Sequence, residues 1–117
     1  MSFEPKEFIE ISKELKQGNT EAHYRSIINR AYYGVFGHIR KALPIYSENS
    51  SIHQEVIKFL KHSVNRNENK IASRLETLFK KRKEADYKYN MQIMEHTCDF
   101  TISEAEKIIE LFDKKDM

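Results

Sequence analysis

The run Tyr24-Arg25-Ser26-Ile27-Ile28-Asn29-Arg30-Ala31-Tyr32-Tyr33-Gly34-Val35-Phe36-Gly37-His38-Ile39-Arg40-Lys41-Ala42-Leu43-Pro44 decides the fold. Tyr24, Ile27, Ile28, Ala31, Val35, Ile39 and Ala42 recur at steps of mainly three and four, which places them on one face of an α-helix. Tyr32, Phe36 and Leu43 add a second stripe, so this helix is apolar around much of its circumference and belongs at the centre of a bundle. Asn19 or Thr20 caps its start and Pro44 stops it. Gly34 and Gly37, three apart within the helix, favour the close approach of a neighbouring helix over a phosphate-binding loop.

Outward from this helix, Pro5 to Gln17 reads as a first helix with Phe8, Ile11 and Leu15 on one stripe. Gly18 suits the left-handed position just past its end. After a loop from Ile45 to Ser50, Ser51 and Gln54 have capping-box spacing before a third helix with Ile52, Val56, Phe59, Leu60 and Val64 inward. Asn65 to Asn69 reads as a turn. A fourth helix follows with Ile71, Leu75, Leu78 and Phe79 inward, broken around Asp86 to Asn90. The last helix carries Met94, Cys98, Thr101, Ile102, Ala105, Ile108, Ile109 and Phe112; Thr101 with Glu104 also suits a restart. The expectation is an all-α fold, an up-and-down bundle of four to five helices forming a single domain over residues 1–117. So broad an apolar second helix in so small a bundle also predicts self-association as a homodimer along a two-fold axis.

Composition agrees. Hydrophobic residues make up 39% and charged residues 32%, with three Gly and two Pro, too few turn formers for a sandwich or barrel. Twenty Lys and Arg balance eighteen Asp and Glu, so binding to nucleic acid requires local clustering of charge rather than the net of +2. The single cysteine, Cys98, excludes an internal disulfide and fits a reducing cytoplasm; on its apolar stripe it reads as a core thiol, not a nucleophile. No long apolar leader or membrane-spanning run is visible, so the expected location is cytoplasmic, with no membrane partner. The five histidines show no HExxH or paired Cys/His spacing, so no metal and no cofactor are expected.

Chemistry concentrates in Lys80-Lys81-Arg82-Lys83-Glu84-Ala85-Asp86-Tyr87-Lys88-Tyr89. Extending the stripe of Ile71, Leu75 and Phe79 brings Arg82 and Asp86 inward, and a guanidinium there must be paired or face a cleft. Two readings follow. Arg82 and Asp86 form a structural i,i+4 pair, or Arg82 faces a ligand in the positive field of Lys80, Lys81 and Lys83. On the second helix Arg30 and His38 fall within about 80° of each other, and with Tyr33 they are candidates to line a groove opposite Arg82. An interface role for His38 and a core role for Tyr32 and Tyr33 remain the plainer alternatives.

Two of these stretches together resemble the HEPN family, the higher-eukaryote and prokaryote nucleotide-binding helical domains. Ser26 to His38 is similar to the serine, arginine, double-tyrosine, phenylalanine, histidine run of small prokaryotic members. Arg82-Lys83-Glu84-Ala85-Asp86-Tyr87 resembles their Arg-x-x-Ala-Asp-Tyr signature. The resemblance implies a dimeric bundle whose signature segments meet across the two-fold axis. It implies RNA or a nucleotide as ligand, with a cognate nucleotidyltransferase or antitoxin protein as a possible partner. Many members are metal-independent endoribonucleases of toxin–antitoxin or phage-defence systems, whose motif is an arginine, four to six intervening residues, then a histidine. Arg82 matches that arginine, but Tyr87 stands where the histidine falls, with Tyr89 two residues on. The resemblance thus puts Arg82, Tyr87 and His38 in catalytic roles, and Arg30, Tyr33, Lys81, Lys83, Asp86 and Tyr89 against the ligand. Tyrosine, with a reference pKa of about 10, is a poor base beside histidine.

Overall fold

The computed structural model describes residues 3–114. Five α-helices carry the described chain: α1 (Glu7–Glu14), α2 (Glu21–Arg40), α3 (Ile52–Lys61), α4 (Arg66–Tyr87) and α5 (Glu95–Asp113). A 3-10 turn, Leu15–Gln17, extends α1, and no strand occurs among the described residues. The fold is an all-helical bundle, as the periodicity requires. No helix of it is long and apolar enough to cross a membrane.

The centre is α2, which buries nine residues, with Ile28, Ala31, Tyr32, Val35 and Ile39 fully enclosed. Its most extensive interface is with α5, and it also packs on α1 and α4. Contacts fix the directions. Tyr24 meets Cys98 and His38 meets Asp113, so α2 and α5 run parallel. Arg25 meets Ala85 while Tyr32 meets Phe79, so α4 runs antiparallel to α2. Within one chain α2 already buries most of its apolar stripes, with Tyr24 and Tyr33 partly covered, so it offers no broad apolar face to drive self-association. A dimer then rests on the family resemblance alone.

The glycine pair does what its spacing suggests. A Cβ on Gly34 would stand 2.7 Å from Ile9 Cγ1, and one on Gly37 2.6 Å from Pro5 Cβ. Both glycines therefore face the N-terminal helix, and this close approach selects the stripe of α1. Ile9 and Ser12 are buried while Ile11 is exposed, which corrects the expected Phe8–Ile11–Leu15 stripe. Gly18 also differs: it is extended, not left-handed, and a Cβ there would collide with the His23 ring.

Several boundaries moved. Helix α2 ends at Arg40, ahead of Pro44, leaving Ala42 exposed in the following turn. Ser51 makes no capping box, because its hydroxyl turns to Asn49 and Glu55. Asn65 caps α4 by accepting from the backbone N–H groups of Asn67 and Glu68, so residues 66–69 are helix, not turn. Val64, expected inward, is 103% exposed because α3 stops at Lys61. Phe59 is exposed too, since the stripe of α3 leans toward Ile57 instead. Met94 precedes α5, which runs through Thr101 without a restart.

Candidate functional site

Arg82 sits on the inward face of α4 and is 7% exposed. Aromatic rings surround its guanidinium carbon: Phe79 at 5.3 Å, Tyr33 at 5.5 Å, Tyr32 at 5.7 Å and Tyr87 at 6.0 Å from the ring centroids. Such faces offset part of the cost of removing a cation from water. Its ion pair is one long contact, Nη1 to Asp86 Oδ2 at 3.3 Å. Arg82 Nε is buried without a hydrogen-bond partner. Asp86 is also held by the Asn29 amide, which donates to both carboxylate oxygens at 3.1–3.2 Å.

A histidine does reach this cluster, from α3 and not from the expected positions. His53 stacks on Phe79 at 5.0 Å and on Phe36 at 4.3 Å, and its Nδ1 lies 2.8 Å from the Tyr32 hydroxyl. Burial drives the Tyr32 phenol far above its ordinary pKa, so it keeps its proton. Donation of that proton to Nδ1 assigns the imidazole proton to Nε2. Burial, then the charges of Arg82 and Arg40, push the His53 pKa down to about 4. Around Arg82 the Nδ1 of His53 is occupied by the Tyr32 hydroxyl, and the Asp86 carboxylate is engaged by Asn29 and Arg82. Such an arrangement suits holding an anion better than abstracting a proton.

The depressed pKa has a measurable consequence. A histidine whose folded-state pKa lies below its unfolded value stabilises the fold fully above the unfolded value, about 6.5. That stability is lost as pH falls from there toward 4, because the unfolded chain binds the extra proton. Discounted for the solvent that still reaches the half-buried ring, the contribution is on the order of 1–2 kcal/mol. Urea unfolding at pH 7 and pH 4.5 should therefore show a pH-dependent loss that is smaller in His53→Gln by about that amount. Equal losses in both proteins would contradict it.

The other candidates divide. Tyr33 and Asp86 reach Arg82 directly, as does the Tyr87 ring, although Tyr87 is mostly exposed. Lys83 places its ammonium 4.4 Å from the Phe79 centroid, on the same aromatic wall. Arg30, Asp86 and Tyr89 line a neighbouring groove of about 420 Å³ with Arg25 and Asn29, and Arg30 also lies over Phe8. Lys81 is half-buried on α4. His38 does not join them. Its Nε2 is 2.7 Å from Asp113 on α5 and its ring packs edge-on to Phe112, so the expected role beside Arg82 is corrected to an interface between α2 and α5. The reason is visible in Gly34, which faces Ile9 and not Arg82.

Arg25, Asn29 and His53 were missed as site residues. Arg25 and Asn29 share a signal with Tyr33: spaced by four, they form a line of polar groups along one side of α2. His53 has no comparable mark. The chain is thus a helical bundle with an aromatic-walled, incompletely paired arginine. Comparison with family models, curated proteins and solved structures finds no match to it.

Proposed function

We propose that this chain is a HEPN-type RNA-binding domain that takes a phosphate of single-stranded RNA at Arg82 and holds it without cutting it. The observation that carries this reading is the nearly buried guanidinium with one long ion pair and an unused Nε. A cation kept in such a place at a desolvation cost awaits an anion, and a phosphate diester fits the planar fork of arginine. The two signature stretches supply the family, and the lysines beside Arg82 supply the field that attracts a polyanion. Binding without cleavage follows from the bases. Tyr87 replaces the motif histidine, His38 is engaged on α5, and His53 offers a ring N–H in place of an acceptor.

The test is fluorescence anisotropy with a labelled oligouridylate in EDTA, with gel analysis of the same RNA and uridine monophosphate as competitor. The wild type should bind the oligomer, leave it intact and prefer it to the nucleotide. Arg82→Met should lower affinity by about 10–100-fold, the worth of roughly 1.5–3 kcal/mol for charge-assisted hydrogen bonds. Unchanged affinity in the variant would sink the reading. Cleavage in EDTA that depends on Arg82 would replace it with a metal-independent ribonuclease.

A further inference from the structure

A second basic feature reaches beyond the signature segments onto α3. Between α3 and α4 runs a groove of about 530 Å³, with Lys58 and Lys61 on one wall and Lys80 and Lys83 on the other. All four lysines are exposed, and none forms an ion pair with another described residue. Glu76 is the acidic residue of the lining, against these four ammonium groups and His62. From Gln54 to Lys61 on α3 and from Glu76 to Lys83 on α4, the lining extends about 10 Å along each helix at ~1.5 Å per residue. Phe79 forms part of its wall. The same ring lies 5.3 Å from the Arg82 guanidinium and 4.4 Å from Lys83 Nζ. The groove therefore adjoins the Arg82 cluster across a single side chain.

We propose that this groove is a track for the phosphodiester backbone of single-stranded RNA running to or from the phosphate held at Arg82. The proposal rests on the reading of Arg82 as an RNA-phosphate site. Lysine ammonium groups on both walls surround one linear chain of charge, whereas a duplex presents its phosphates on a convex surface. Lysine is also a point charge whose ammonium donates to phosphate oxygens from many directions, the tolerance that a track along a flexible strand needs. The net charge of +2 hides this cluster, because the compensating acids lie elsewhere.

Binding of a labelled oligouridylate across a range of salt concentrations tests the track. Each phosphate neutralised on a single strand contributes about 0.7 to the slope of log K against log salt. Lys58→Gln/Lys61→Gln and Lys80→Gln/Lys83→Gln should each flatten the slope by about 1.4, two lysines' worth. Lys6→Gln/Lys107→Gln, matched in charge but outside the groove, should leave it unchanged. All three pairs are exposed, and circular dichroism confirms that each variant is folded before titration. If the groove variants match the control pair while Arg82→Met still loses affinity, the track is overturned and the Arg82 site stands. If the groove variants lose slope and Arg82→Met binds like wild type, the Arg82 reading is overturned, and the groove is an independent site. Competition by polyglutamate equal to that by unlabelled RNA, or no binding by wild type, would overturn the track as well.

Discussion

An Arg25→Met variant should melt roughly 8–15 °C below the wild type, a loss of about 2–4 kcal/mol in a domain of this size. The expectation comes from where its hydrogen bonds go. Arg25 Nη1 donates to the carbonyls of Glu84 and Ala85, and Nη2 to those of Lys88 and Met91, at 2.6–3.4 Å. Nε and Nη2 also reach the Glu21 carboxylate at 3.0 and 2.8 Å. The final turn of a helix leaves carbonyls without backbone partners, and its dipole favours a cation there. The last turn of α4 contains no basic residue of its own, so α2 supplies one across the interface. Methionine keeps much of the volume and removes every donor. The Glu84 and Lys88 carbonyls retain the backbone N–H groups of Lys88 and Met91, while those of Ala85 and Met91 lose the donor that Arg25 supplies. Differential scanning calorimetry checks the size of the loss, and a shift below about 2 °C would show that water replaces Arg25. Because the same bonds hold residues 84–91 in place, amide exchange should also rise at Asp86 and Tyr87.

The contrast between Arg25 and the helix that carries it shows where sequence reading succeeds. The stripes of α2 were legible because burial follows a 3.6-residue period, and Gly34 and Gly37 because only a close neighbour gives two small residues that spacing. Arg25 was not legible as a cap, since its partners are backbone carbonyls, which carry no side-chain signature. Its spacing from Glu21 suggests an ordinary surface pair instead. On α3, Phe59 and Ile57 flank the same stripe. Which of them turns inward depends on how the helix docks against α4, a tertiary choice that periodicity leaves open. His53 belongs to the site for the same reason: it meets Arg82's aromatic wall only once α3 lies beside Phe79. Arg82 itself was marked by a local conflict, a permanent charge on an apolar stripe, and such conflicts are where functional residues concentrate.

Replacing Arg82 by methionine, by contrast, should leave the melting temperature unchanged or raise it by a few degrees. Arg25 and Arg82 are both largely buried, yet their environments differ in the quantity that decides stability. Arg25 uses all three guanidinium nitrogens, whereas Arg82 makes one 3.3 Å contact and leaves Nε without a partner. Burying a charge costs several kcal/mol, and cation–π contacts return on the order of 2 kcal/mol when desolvated. With a single long ion pair, the balance runs against the arginine. Methionine fills a similar space, is apolar and makes favourable contacts with rings such as Phe79 and Tyr32. Asp86 is not stranded by the change, because Asn29 continues to donate to both of its oxygens and the carboxylate is partly open to water. Thermal unfolding of Arg82→Met beside Arg25→Met separates the two roles in one measurement. A drop for Arg82→Met as large as that for Arg25→Met would make the Arg82–Asp86 pair a structural element and remove the physical basis for an anion site. A stable variant that has lost RNA affinity identifies Arg82 as a residue retained at the expense of stability, in the position where a phosphate supplies the missing hydrogen bonds.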